Sequence, residues 1–143
     1  MEYRRFKDTL VVRIDRGEEI LEQVKAAAEK ENIRLAAVEA LGAVSEATVG
    51  IYNVATKQYH SNHFEGQFEI VSLTGTVSTM DGAFYQHLHM SFADGNGRVH
   101  GGHLNRAVVS ATCEMVIRVI DGEVDRARNE EIGLNLFRFL PEE

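Results

Sequence analysis

The sequence has little of several features that would place a protein in a special structural class. Its 143 residues include one cysteine, Cys113, so no disulfide can form within the chain. Proline occurs once, at Pro141, tryptophan is absent and no stretch is of low complexity, which argues against a long disordered region. No run of about 18 apolar residues is present, and the N-terminal segment 1–7 is charged and polar, so no membrane span is indicated. We therefore predict one domain over residues 1–143 and a cytoplasmic location.

A surplus of basic residues is also missing. The chain has 22 acidic and 15 basic residues, which gives a formal net charge of -7. Phosphate binding needs Lys and Arg gathered on one face, so this balance argues against nucleic acid as a partner of the isolated domain. Two small basic clusters are interpreted as solvated surface charges: Arg4, Arg5 and Lys7 near the start, and Arg126 and Arg128 near the end.

The hydrophobic pattern predicts one helix among many strands. Asp8–Asp15 has the composition of a strand, and Glu18–Glu31 has an apolar stripe of helical period with two acids, Glu18 and Glu19, in its first turn. Further strands are predicted at Leu35–Leu41, Ala47–Val54, Lys57–Phe64, Gln67–Thr79, Phe84–Ala93, Arg98–Leu104, Ala107–Asp121 and Leu134–Leu140, with a loop or helical turn at Arg126–Glu131. Short turns between so many strands predict an α+β fold, mainly an antiparallel sheet with one principal flanking helix. The apolar residues on both faces of Gln67–Thr79 suggest that both faces are covered, one by the helix and the other by a second subunit.

Histidines cluster around one predicted hairpin. His87 and His89 are two residues apart, which places both imidazoles on the same face of a strand. Imidazole is the commonest metal-binding side chain, and two on one strand face can share an ion. A third ligand is expected from the neighbouring strand, and the length of the loop decides which residue supplies it.

Two loop lengths select two different histidines. A two-residue loop of Gly95 and Asn96 places His100 on the face of His87 and His89, whereas a three-residue loop places His103 opposite His89. We prefer the longer loop because its last residue, Gly97, can adopt the left-handed conformation of a G1 bulge. A bulge at Gly101–Gly102 would change this register, so the loop alone leaves both possibilities open.

Three imidazoles with one free position are typical of a catalytic rather than a structural zinc site, because structural zinc is usually closed by four protein ligands. A water molecule in that position would have a lowered pKa and could act as a nucleophile. Glu69 and Glu114 are candidate acid/base groups, since each lies in a strand otherwise dominated by apolar or small residues. Pairing at a subunit interface or simple exposure to solvent explains these two carboxylates better.

Three sequence segments resemble one known family, the "plants and prokaryotes conserved" (PPC) domain. They are Gly66-Gln67-Phe68-Glu69-Ile70-Val71-Ser72-Leu73-Thr74-Gly75, the set His87-Leu88-His89-Met90-Ser91 with Gly101-Gly102-His103-Leu104, and Leu41-Gly42-Ala43-Val44-Ser45. The resemblance extends from about Phe6 to Phe139. Asn105-Arg106 departs from the family pattern, in which this pair is more apolar or smaller.

The resemblance implies a homotrimer with a metal ion, zinc by preference, at His87, His89 and His103. Plant members of the family bind AT-rich DNA through a separate AT-hook, and this sequence has no such segment. Three hypotheses follow: a metal-binding protein with a regulatory or small-molecule-binding role, a zinc-dependent hydrolase or lyase, and a DNA-binding regulator. The charge balance disfavours the third.

Overall fold

The computed structural model describes residues 1–139, which form an antiparallel sheet with one helix. The elements are β1 (Glu2–Phe6), β2 (Thr9–Asp15), α1 (Ile20–Lys30), β3 (Ala36–Asn53), β4 (Gln58–Met80), β5 (Ala83–Ala93), β6 (Val99–Val119), β7 (Asp125–Asn129) and β8 (Leu134–Arg138). The predicted last strand thus ends at Arg138, and Leu140 lies outside the described residues. No helix in the described range is long and apolar enough to cross a membrane.

The main sheet has the strand order β1-β2-β6-β3-β4-β5, and β5 also pairs with the first part of β6. This extra pairing closes β3, β4, β5 and β6 into a ring. β7 and β8 form a separate two-stranded ladder. The predicted α+β class, mainly antiparallel with one helix, is confirmed.

Three pairs of predicted strands are single long strands in the structure. β3, β4 and β6 each join two segments that we predicted as separate, because the breaks in their alternation are bulges rather than turns. In β3 the pairing with β4 shifts between Ala40 and Gly42 and again between Val44 and Glu46. Such bulges bend a strand without ending it, and they allow these strands to curve into a ring.

The helix begins at Ile20, two residues later than predicted. Glu19 is its N-cap rather than a first-turn residue: one carboxylate oxygen accepts from the N–H of Glu22 at 2.8 Å. The other oxygen accepts from the N–H of Ala107 in β6 at 2.9 Å, so this buried side chain also attaches the helix start to the sheet. The apolar face of α1 lies on the sheet and contributes Ile20, Val24, Ala27 and Ala28 to the core.

Two charged segments that we did not predict as strands are paired in the structure. β1 forms the sheet edge beside β2, where charged side chains are common. β7 replaces the predicted loop or helical turn, and Arg126 within it is 5% exposed. The interpretation of Arg126 as a solvated surface charge is therefore wrong, because β8 and the outer face of β4 and β5 enclose its side chain.

Candidate metal centre

Three histidines from two strands converge on the outer face of the sheet. β5 supplies His87 and His89, and β6 supplies His103, which lies directly opposite His89. One ring nitrogen from each residue lies within 4.8 Å of those of the other two. Within residues 1–139 no carboxylate or thiolate belongs to this group. The group of side chains is the one that we predicted from the sequence.

The β5–β6 loop has the three-residue form. The N–H of Asp94 donates to the carbonyl of Arg98 at 2.9 Å, and Gly97 has the left-handed φ of 74° that this turn requires. The Asp94 carboxylate also accepts from the backbone N–H groups of Asn96 and Arg98, at 2.9 and 3.0 Å. These bonds fix the register, and the register places His103 rather than His100 against His89.

His100 lies on the opposite face of β6 from His103. Its ring packs against Phe64, with centroids 4.9 Å apart, and its Nε2 lies 3.1 Å from the Asp94 carboxylate. That pairing is the largest cause of the lowered pKa of Asp94, followed by the hydrogen bond from Asn96. His100 therefore belongs to the loop and the aromatic core, not to the metal group.

The spacing of the nitrogens suits a tetrahedral ion. The Nε2 atoms of His87 and His89 are 3.2 Å apart. Two nitrogens bound to tetrahedral zinc at its usual bond length are separated by about 3.3 Å. The ring centroids of the three histidines lie 5.0 to 5.5 Å apart, as expected for side chains that point toward one centre. The residues present thus fit a divalent ion, with one tetrahedral position free of protein ligands from the described chain.

The surroundings keep two of the imidazoles neutral. The pKa of His87 is lowered to about 4, mainly by burial and in addition by positive charge at His103, at His89 and on Arg126. Burial also lowers the pKa of His103, with a smaller contribution from His89. Because metals bind the unprotonated ring, these two side chains are in the binding form at pH 7.

Each histidine has a distinct neighbour, and that of His103 is Tyr59. The ring of Tyr59 starts on β4 and crosses β3 at Gly50, where a Cβ atom would collide with the phenol and with the carbonyl of His60. It meets the His103 ring edge-on at 6.0 Å between centroids, and its hydroxyl donates to Asn105 Oδ1 at 2.5 Å.

Asn105 is the extra residue of a bulge: the register of β6 on β3 shifts between Leu104 and Arg106. The sequence departure noted at this position thus has a structural use. We did not predict the contact with Tyr59, although a glycine inside a strand often marks such a close approach.

The neighbour of His87 is Arg126. Its guanidinium stacks between the rings of Tyr85 and Phe137, 4.6 and 4.2 Å from their centroids. Tyr85 lies two residues before His87 on the same face of β5. Thr76, which is paired with His87 across β4 and β5, accepts from the guanidinium at 3.5 Å. The positive charge of Arg126 therefore lies against the immediate neighbours of His87, next to the metal group.

His89 borders a shallow groove of about 360 Å³ on the same outer face. Its lining combines hydroxyl side chains and glycines, including Ser72, Thr74, Ser91 and Gly101, with Met90, Val99 and His100. A small molecule has space there, next to one of the three histidines.

The other candidate residues lie apart from this centre. Glu69 and Glu114 are exposed and do not belong to the metal group; Glu114 is paired with Arg13 across β2 and β6 and lines a groove near the N-terminus. Cys113 is buried, and burial raises the pKa of its thiol to about 12, so it is an inert core residue.

The sequence matches a known family model. The model of the Plants and Prokaryotes Conserved (PCC) domain, introduced above as PPC, covers residues 1–121. The match includes all three histidines and ends before β7, so Arg126 lies outside it. No curated protein matches the sequence.

Several solved structures are similar over almost the whole chain. A proposed DNA-binding protein from Bacteroides thetaiotaomicron is 29% identical with a TM-score of 0.94, covering 96% of both chains. A metal-containing protein from Archaeoglobus fulgidus is 33% identical with a TM-score of 0.87, covering 96% of this chain and 97% of that one. A plant- and prokaryote-conserved protein from Pyrococcus horikoshii is 28% identical with a TM-score of 0.84, covering 99% of this chain and 96% of that one.

Proposed function

Because this chain belongs to the Plants and Prokaryotes Conserved domain family, we propose that it is a metal-binding protein that presents one ion to a small-molecule ligand. His87, His89 and His103 hold the ion, and we propose zinc because three imidazoles with one open position form a common zinc site. The position without a protein ligand receives water or the ligand. The role is regulatory or ligand-binding.

The observation that carries this proposal is the convergence of the three ring nitrogens within 4.8 Å of one another. Nothing in an ordinary sheet surface favours three imidazoles so close together, because they repel one another whenever they are protonated. A bound divalent ion turns this repulsion into three favourable bonds. The similarity to a metal-containing protein from Archaeoglobus fulgidus supports the same interpretation.

The decisive experiment is metal analysis of protein purified without a histidine tag or added metal. We expect one equivalent of zinc per chain in the wild type and in His100→Ala, and a loss of most of it in His103→Ala. His100 is the matched control, because it is the histidine that the shorter loop would have selected. An absence of stoichiometric metal in the wild type, or equal metal in both variants, would contradict the proposal.

We further propose that the protein is a homotrimer in the cytoplasm. Large apolar side chains remain exposed on the single chain, among them Leu41, Ile51 and Val71, at 57%, 69% and 56%. A second subunit would cover such residues. Light scattering after size exclusion should give three times the chain mass, and a monomer mass would remove this part of the proposal.

A zinc-dependent hydrolase or lyase is the second candidate function. The free metal position favours it, because zinc-bound water is a nucleophile near neutral pH. Glu69 and Glu114 remain predictions as proton carriers, and both lie outside the metal group. The zinc-loaded protein should hydrolyse 4-nitrophenyl acetate faster than His103→Ala if this candidate is correct. Equal rates would exclude a reactive zinc-bound water.

We do not propose DNA as a partner of the isolated chain, although similar structures carry that description. Beyond the net charge of -7, several arginines are engaged by carboxylates: Arg5 by Glu31, Arg13 by Asp15, Arg34 by Glu123, Arg106 by Glu46 and Arg138 by Asp125. An AT-rich duplex should show no retardation in a gel at low salt, where phosphate contacts are strongest.

A further inference from the structure

Arg126 carries a buried positive charge that lacks a carboxylate partner among residues 1–139. Its side chain is 5% exposed, and every partner that the described chain provides is neutral. Nε donates to the Ser78 hydroxyl at 2.9 Å, Nη1 donates to the carbonyl of Asn135 at 2.9 Å, and Nη2 donates to the Thr76 hydroxyl at 3.5 Å. The nearest acid in sequence, Asp125, is engaged by Thr79 and Arg138 instead.

An uncompensated buried charge costs free energy, and proteins usually pair it or use it. This guanidinium stacks on Tyr85 and touches Thr76, the two residues that flank His87 along its strand and across the sheet. Charges buried beneath side chains are weakly screened, so its field extends to the neighbouring metal group.

The charge of the whole centre is therefore strongly positive. Three neutral imidazoles leave the full double charge of a divalent ion in place, Arg126 adds a third positive charge, and no acidic side chain from the described residues joins the group. A ligand that completes this centre must supply negative charge. The groove beside His89, whose lining includes the hydroxyls of Ser72, Thr74 and Ser91, offers space for a small one.

We infer that Arg126 makes the three-histidine centre a receptor for small carboxylate anions, bound with one oxygen at the free metal position. This inference depends on the proposed metal site and names the class of its ligand. Arg126 acts by its charge and does not ligate the ion. It lies in β7, beyond the residues that the family model matches.

The test compares acetate with acetamide, a neutral molecule of the same shape, on protein loaded with cobalt(II) in place of zinc. Visible spectra report the binding of either molecule at the free position. We expect the wild type to bind acetate at least about ten-fold more tightly than acetamide. Arg126→Met should weaken acetate binding by about ten-fold, and Arg126→Lys, which keeps the charge, should lose much less. Arg128→Met is the matched control, an exposed arginine of the same strand.

The metal affinity of Arg126→Met gives a second measurement, which should not decrease when acetate affinity does. Removing a positive charge near a cation should leave metal binding unchanged or strengthen it, while it weakens anion binding. A merely structural role of Arg126 would weaken both together. Equal acetate affinity in metal-loaded wild type and Arg126→Met overturns the inference and leaves the metal site intact. If Arg126→Met does not fold, equal binding of acetate and acetamide by the wild type overturns it as well. A wild type that takes up no metal overturns both the inference and the proposed function.

Discussion

The two C-terminal hairpins of the molecule are organised by opposite means. The β5–β6 hairpin is defined by its own loop, in which the Asp94 carboxylate accepts from two backbone N–H groups and Gly97 adopts the left-handed turn conformation. The β7–β8 hairpin is anchored from outside, by Arg126 inserted between Tyr85 and Phe137 and bonded to β4. The β5–β6 hairpin depends on local contacts and can therefore be predicted from the sequence. The contacts that anchor the β7–β8 hairpin form only once the sheet has formed.

The largest effect is expected where the anchor of β7–β8 is removed. Arg126→Ala should lower the free energy of unfolding by about 3 kcal/mol, because it leaves a cavity between two aromatic rings and an unpaired carbonyl at Asn135. Arg126→Met, which fills the space without a charge, should cost about 1 kcal/mol. Urea unfolding measures both. An Arg126→Ala protein as stable as Arg128→Ala would show that the second hairpin does not depend on this side chain.

The next largest effect should come from the local loop of β5–β6. Asp94→Ala removes the acceptor for two backbone N–H groups and should cost about 2 kcal/mol. Asp94→Asn keeps an oxygen at that place and should cost less than half as much. Because the loop sets the register of His103, Asp94→Ala should also reduce bound zinc. Equal stability of the two variants would contradict a local origin for this hairpin.

Acidification should lower the stability of the metal-free protein through the histidine centre. The pKa of His87 is about 4 in the folded protein, below its ordinary value of 6.5. As pH falls from about 6.5 to about 4 the unfolded chain takes up a proton that the folded chain refuses, so stability is lost over this interval and unaffected above it. Urea unfolding of metal-free wild type and His87→Gln at pH 7 and pH 5 measures this loss. The decrease should be smaller in the variant, and equal decreases would exclude His87 as a cause.

The smallest effects are expected at two tyrosines that lie opposite each other on β3 and β4 and donate hydrogen bonds to different hairpins. Tyr59 bonds to Asn105 of β6, and its cross-strand partner Tyr52 donates to the carbonyl of Ile132 between β7 and β8 at 2.9 Å. Tyr59→Phe and Tyr52→Phe should each cost about 0.7 kcal/mol. Only Tyr59→Phe should weaken zinc binding, by about three-fold, less than the loss typical of a direct partner of a ligand. Equal zinc affinity in both variants would show that Tyr59 does not position His103.

The contrast explains which features could be predicted from the sequence. Alternation along β5 and the turn residues from Asp94 to Gly97 favoured the partnership of His89 with His103, although a bulge at Gly101–Gly102 left His100 as an alternative. Strand existence was largely predictable for the same reason, since period-two patterns are local. The predicted start of the helix was two residues too early. Its N-cap, Glu19, is held by a hydrogen bond from β6, and no local sequence pattern indicates that contact.

The remaining features depend on contacts between distant segments. Bulges in β3 and β6 looked like strand ends, because a bulge and a turn interrupt alternation in the same way. Arg126 lies in a polar segment whose own residues give no sign of burial, and the rings that enclose it lie elsewhere in the chain. Tyr59 reaches His103 across an intervening strand, so only the folded sheet brings them together.

His103 stands at a junction: it is the last residue of β6 paired with β5 and also the end of the pairing between β6 and β3. An ion held by His87, His89 and His103 would therefore bridge the seam at which the ring closes. Local opening of that seam would require release of the ion, so amide hydrogen exchange around His89 and His103 should slow when metal is added. The supply of metal would then determine how often this seam opens and exposes β5 and β6 to proteases or to pairing with other strands.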